Sequence, residues 1–425
     1  MKLQPKKLRV HQFLERHLRA PVYRFDDVND PRARRGRRHL LPSMLFALLY
    51  GLMAGCRSLR EVEDLTEEMG PTGRTRVPRR IPDTTLYELV PRLSVDELRE
   101  VQRRQVRTLW RGKCLVPVGL PCGVASIDGK GLGALDHDAD GSAQKGIRVH
   151  DGTPYFLART LRAVLTSAAS KPALDQMAIP KETNEMGAFA LFFAALMSAY
   201  GALDLFEIIT VDAGMTSKHN ADLVVAVNRA YVMALKGTQP ELLAEARRLL
   251  LPMTQGAPCA VTPWERAQGK WVRRLLYRTD EIAGYHAWSH LRQAWLVRQE
   301  SRVGDGPVTI EDRYFLTSLR LGRLQPSQIL QVVRGHWGIE NDCFWSLDTQ
   351  FGEDAMPWVT KGRSVEILGI LRLLAYNLLQ LLRKRHLLPR SPGEKMLPSW
   401  SQLFRWVWMA LQLNLSDYGG PLPAS

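Results

Sequence analysis

LFEIITVDAGMTSKHNADLVVAVNRAYVMALKG, residues 205–237, decides the fold class. LFEIITVD is a short β-branched and aromatic run that stops at Asp212, the pattern of a strand. SKHNADLVVAVNRA follows with helical spacing behind Ser217, and YVMALKG is a second strand-like run. Strand, helix and strand in succession call for an α/β sheet. Upstream, CGVASID (122–128) and YFLARTLRAVLTSA (155–168) read as further strands in hairpin-like order, so the sheet is expected to be mixed. EMGAFALFFAALMSAY (185–200) supplies another helix, and DRYFLTSL (312–319) resumes the strand texture.

Around this core the chain divides into five stretches. Residues 1–115 read as a helical, basic N-terminal domain, and 116–235 as the first part of the sheet core. Residues 236–311 mix polar and aromatic residues around the turn VGDGP and read as a β-rich insertion. Residues 312–388 return to the core with two amphipathic helices, and 389–425 form a Pro/Ser-rich tail around a Trp-rich helix.

The 425 residues carry 58 Lys+Arg against 43 Asp+Glu, a net charge of +15. Such a surplus favours a polyanionic partner, because neutralising phosphates releases their counterions. Six arginines flank or fill FDDVNDPRARRGRRH (25–39): Arg24, Arg32, Arg34, Arg35, Arg37 and Arg38. The five cysteines are widely spaced with no CxxC pair, which argues against a disulfide framework or a zinc finger. Two uncharged runs, 40–56 and 187–203, sit at the lower length limit for a membrane span, about 17 residues. Both read as buried core helices of a soluble, cytoplasmic protein with no membrane partner.

Three carboxylates stand out. Asp128 and Asp212 each end a strand-like run, and α/β sheets bind ligands just beyond the carboxyl ends of their strands. Glu340 lies in GHWGIENDCFWSLDTQFGED (335–354), an acidic and aromatic segment unusual in so basic a chain. A helix from Ser327 sets Ile329, Val332, Val333, His336, Trp337 and Glu340 on one stripe, which would carry Glu340 toward the core. A buried carboxylate needs a cation, either a metal or an Arg or His partner. Three converging acids in a basic protein suggest two-metal phosphoryl transfer, with Mg²⁺ as the oxygen-seeking ion. DHDADG (136–141) lacks the closing Glu of a calcium loop, since that position is Ile147. GKGLGA (129–134) lacks the helix that a dinucleotide fingerprint requires. His336 and Cys343 have no second pair of ligands, which leaves His336 a core or supporting residue.

These blocks taken together, IDGK at Asp128, KETNE at Lys181, TVDAGM at Asp212, YVMALKGTQP, and RGHWGIEN followed by FWSLDTQFGED, resemble the insertion-sequence transposases with a DDE triad. The subgroup resembled is the one marked by HWxIEN, which includes the H-repeat-associated proteins. The resemblance runs in order from about residue 23 to 385. It implies a ribonuclease H-like core, Mg²⁺ or Mn²⁺ as cofactor, and cleavage and strand transfer on double-stranded DNA by a homodimer at synapsis. Carried onto this chain, the triad is Asp128, Asp212 and Glu340. Lys130, Arg334, His336, Trp337 and Asn341 are the supporting residues, and Arg32, Arg34, Arg35, Arg37, Arg38 and Lys236 the DNA-contacting ones. The chain departs from the family at IENDCFW, where IENxLHW is usual, and at Gln268–Lys270 (QGK), where HGR is common. A nuclease without joining activity and a non-catalytic DNA-binding relic remain the competing readings.

Overall fold

The computed structural model describes the chain outside residues 1–4, 19–24, 36, 136–137, 139–142, 148–151, 268, 289, 356, 389–396 and 413–425. Arg24, Gln268 and most of DHDADG therefore lie outside the described residues.

The first third is helical: α1 (Pro5–Leu18), α2 (Leu41–Ala54), α3 (Leu59–Glu68), α4 (Pro71–Arg74), α5 (Asp83–Leu89) and α6 (Val95–Arg111). Ser58 and Ser94 cap α3 and α6 by accepting the N–H of Glu61 and Glu97. Every residue of α2 except Pro42 is buried, which explains its uncharged composition.

The sheet is large and mixed. Its strands are β1 (Val124–Leu135), β2 (Gln144–Ile147), β3 (Pro154–Leu165), β4 (Ala173–Ala178), β5 (Ile208–Val211), β6 (Ala230–Leu235), β7 (Ala260–Val261), β8 (Glu265–Ala267), β9 (Lys270–Thr279), β10 (Gln293–Arg302) and β11 (Thr309–Thr317). The path is β2-β3-β1-β5-β6-β11-β10-β9-β7, with β4 on β3 and β8 on β9. β1, β5 and β6 are parallel, in the register Ser126 to Thr210 and Thr210 to Val232, while β3 and β11 flank them antiparallel. The intervening helices are α7 (Glu185–Tyr200), α8 (Lys218–Ala226) and α9 (Pro240–Leu250). After the sheet come α10 (Pro326–His336), a π-helical turn (Ile339–Phe344), α11 (Trp345–Thr349), α12 (Ser364–Leu381) and α13 (Trp400–Gln412). Residues 236–311 thus hold α9 as well as strands, a helix the mixed texture did not suggest.

The two faces of the sheet carry different partners, as strand alternation requires. Val124, Ile208, Val232, Trp295 and Phe315 pack under Ile329, Val332 and Val333 of α10. Ala125, Ile127, Ile209, Val211 and Met233 belong to the larger core with Phe189 and Phe192 of α7 and Val224 of α8. Among the described residues one helical segment, Ser364–His386, is long and apolar enough to cross a membrane, and its apolar part up to Leu382 is buried inside the fold. α12, within it, packs on α2, α6 and β4, and α13 packs on α1 and α2. The helical layer is therefore assembled from both ends of the chain. It is tied to the sheet by buried Asp175 of β4, which accepts paired bonds from Arg99 (3.0 and 2.9 Å) and Arg103 (3.1 and 2.6 Å) of α6. All five cysteines are unpaired.

Candidate active site

Parallel register brings the two strand-borne acids together. Ser126 stands beside Thr210 and Ile127 beside Val211, so Asp128 and Asp212 come next, side by side on the α10 face. Asp212 directly follows the last residue of β5, as expected. Asp128 does not end its strand: β1 continues through GKGLGAL to Leu135, paired with β3 alone. The glycines of GKGLGA, weighed in the sequence only as a dinucleotide fingerprint, are strand residues, because β3 offers a partner beyond the point where β5 stops. Asp128 thus lies at the fork where the sheet opens.

Each acid has one oxygen fixed by backbone. Gly129 N–H donates to Asp128 Oδ1 at 2.8 Å, and Met215 N–H to Asp212 Oδ1 at 3.1 Å. Glu185, the first residue of α7, is the third member: one ligand oxygen from each of Asp128, Glu185 and Asp212 lies within 4.8 Å of the others. Gly129 makes this approach possible, since a Cβ there would collide with the Glu185 carboxylate. The KETNE block ends at Glu185. The only signal in the sequence was its place in that block, and a first-turn acid is otherwise commonplace.

Burial pushes the Asp128 carboxyl up to about 8, helped by the charges of Asp212, Glu340 and Glu185 against the opposing Gly129 N–H. Glu185 is raised as well, by burial and then by Asp212, with Arg159 opposing. No ion pair reaches Asp128, Glu185 or Asp212 among the described residues. Three hard oxygen donors with no cationic side chain bound to them fit a divalent metal.

Glu340 departs from expectation. It is exposed, and Ile339 and Cys343 are buried instead. The helical stripe holds from Ile329 to His336, but the wider turn of the π segment then shifts the phase. Glu340 stays close enough for its charge to act on Asp128 but stands outside the Asp128–Glu185–Asp212 cluster. π-turns recur at functional sites.

The supporting residues divide. His336 is buried beneath Asp212, with Nδ1 2.9 Å from Thr210 Oγ1, and Thr210 donates to Ser126 Oγ at 2.8 Å. Burial lowers His336 to about 4 despite the nearby Asp212, so the ring is neutral at pH 7. Lys130, two residues after Asp128 and on the same face, reaches Asp348 at 2.7 Å and Asp354 at 2.9 Å. Trp337 packs on Phe315 and takes the Arg313 guanidinium over its ring at 4.4 Å. Arg334 is exposed and pairs with Glu265 of β8 at 2.8 Å, while Asn341 is exposed. Cys343 is buried, its thiol pushed up to about 12 chiefly by burial, and it stands outside the Asp128–Glu185–Asp212 cluster.

The acidity of 335–354 has a second explanation. Glu353 meets Arg162 of β3 in a bidentate pair at 2.7 and 2.8 Å, with Arg162 at 0% and Glu353 at 1% exposure. Gln176 Oε1 takes two more Arg162 N–H bonds, at 3.0 and 2.8 Å. With Lys130 on Asp348 and Asp354, this fastens the segment after the π-turn to β1 and β3.

Of the arginine group, Arg32 pairs with Asp30 (2.9 and 2.8 Å), and Arg37 also bonds back to the loop through the carbonyls of Ala33 and Asp30. Both hold the segment's shape. Arg34, Arg35 and Arg38 are exposed, as is Lys236 at the carboxyl end of β6, on the rim shared with Asp212.

Comparison with known proteins gives the family. The family described as "Transposase DDE domain" matches residues 124–378, and "DDE_Tnp_1-associated" matches 22–104. Two Escherichia coli (strain K12) proteins, named "H repeat-associated putative transposase YhhI" and "Putative protein YbfL", are each 23% identical over 270 residues, 60% of this chain and 64% of their own length. The chain thus spans about 64% of these curated relatives.

Proposed function

Because the chain belongs to the Transposase DDE domain family, we propose that it cuts DNA at insertion-sequence ends and joins those ends to target DNA by divalent-metal-dependent phosphoryl transfer. The observation that carries this reading is the meeting of Asp128 and Asp212 at the fork between β1 and β5, with no cationic side chain paired to either among the described residues. Asp128, Asp212 and Glu340 would hold Mg²⁺ or Mn²⁺, which when bound polarises the scissile phosphate and stabilises the attacking and leaving oxygens.

The chain's own residues do the positioning. Gly129 and Met215 N–H each orient one carboxylate oxygen, which leaves the other free for ligation. Neutral His336, through Thr210 and Ser126, braces the strands beneath the acids without adding a charge that would compete for them. Lys130 holds the segment that follows the Glu340 turn against β1. Exposed Lys236, Arg34, Arg35 and Arg38 would meet DNA phosphates, which give affinity and register more than sequence choice. In this reading 1–115 is a DNA-binding unit, 116–235 and 312–388 form a ribonuclease H-like core, and 236–311 is an insertion. The protein works in the bacterial cytoplasm on the nucleoid and pairs two ends as a homodimer.

The test uses full-length protein, Mg²⁺, and labelled duplexes copied from the inverted repeats flanking the reading frame. Pre-cut ends incubated with a supercoiled plasmid should become covalently joined to it. Nicking without joining would reduce the protein to a nuclease, and binding without any cleavage would make it a DNA-binding relic.

A further inference from the structure

Glu185 is absent from the triad of Asp128, Asp212 and Glu340, yet the fold presses it against the first two. We propose that Glu185 is a direct ligand of the divalent cation held by Asp128 and Asp212, so that the site is built from four carboxylates on β1, β5, α7 and the π-turn. This rests on the metal-dependent reading above.

Four observations support it. The three ligand oxygens lie within 4.8 Å of one another. An octahedral hard cation with bonds of about 2.0–2.1 Å sets its oxygens roughly 3–4 Å apart, so small side-chain movements close the shell. Gly129, next to Asp128 on β1, leaves the space the Glu185 carboxylate occupies, and any side chain there would push it out. Capping of α7 is already done by Asn184, whose side chain accepts the Gly187 N–H, so Glu185 is not needed for it. Finally, no ion pair reaches Glu185 among the described residues, so its carboxylate is not already committed to a side-chain cation. Carboxylates gathered at one partly buried site repel one another, and a bound cation reverses the sign of that interaction.

A plain structural role makes the opposite forecast. As a first-turn acid, Glu185 would act only by favouring the α7 dipole. Its neutralisation would then lower metal-free stability and leave metal affinity alone.

Mn²⁺ titration of the full-length protein, followed by the electron paramagnetic resonance of free Mn²⁺, separates the two. Glu185→Gln should weaken Mn²⁺ binding tenfold or more, with a metal-free melting temperature equal to or above wild type. Gly129→Ala should weaken binding in the same direction while keeping every carboxylate. Wild-type affinity in Glu185→Gln, alongside lost affinity in Asp212→Asn, would overturn the role of Glu185 and leave the metal-dependent reading standing. A wild-type protein that takes up no Mn²⁺ would overturn both.

Discussion

Asp128→Asn should abolish strand cleavage, by roughly 10³-fold or more, while DNA binding stays within a few-fold of wild type. The size follows from the several kcal/mol of charge stabilisation that a ligated divalent ion supplies, at 1.36 kcal/mol per tenfold. Sparing of binding follows from geometry: the phosphate-contacting candidates Arg34, Arg35 and Arg38 are exposed on the segment before α2, and none is paired with Asp128. The same variant carries a second expectation. In the metal-free fold Asp128 titrates near 8, raised chiefly by burial and then by Asp212 and Glu340, against an ordinary 3.8. Between about pH 4 and 8 the folded protein therefore holds a proton that the unfolded chain has released, and stability falls as pH rises through that window. Asparagine removes this slope, so metal-free Asp128→Asn should gain stability over wild type toward pH 8. Denaturant midpoints at pH 5 and pH 8 read it directly. Cleavage at the wild-type rate would remove Asp128 from the chemistry.

The second large effect is on folding. Glu353→Gln should destabilise the protein by about 3–5 kcal/mol, the cost of leaving one partner of a buried ion pair uncompensated. Arg162 is wholly buried, and Arg372 lies close enough that its charge also bears on Glu353. Loss of the carboxylate would leave two guanidinium groups facing each other in the core. Arg162→Met combined with Glu353→Met should recover most of the loss, because apolar groups of similar volume replace such pairs at little cost. Urea titration measures both. A single-variant loss under 1 kcal/mol would show that this pair does not hold the segment after Glu340 to the sheet.

What could be read from the sequence, and what could not, follows from the range of each signal. Asp128 and Asp212 were visible because a β-branched run that stops at an acid is a local pattern. Their proximity needed only the rule that parallel strands present their carboxyl ends to one rim. The extension of β1 past Asp128 was hidden because GKGLGAL has the glycine content of a loop, and only pairing with β3 makes it a strand. The exposure of Glu340 was hidden for a different reason. Helical periodicity assumes 3.6 residues per turn, and the π segment at Ile339–Phe344 breaks that count just before the residue of interest. Glu185 was missed because its meaning depends on Gly129, 56 positions earlier, having no side chain. The oddity of acidic residues in 335–354 was noticed, yet only part of it concerns a metal. Glu353, Asp348 and Asp354 answer to Arg162 and Lys130, side chains that no spacing rule connects to them.

Anomalous diffraction from crystals of the full-length protein soaked in Mn²⁺ tests the central claim most directly. The account predicts a peak within about 2.0–2.4 Å of carboxylate oxygens from both Asp128 and Asp212, the bond range of hard divalent ions. A saturated crystal with those two carboxylates ordered and no anomalous density between them would contradict it.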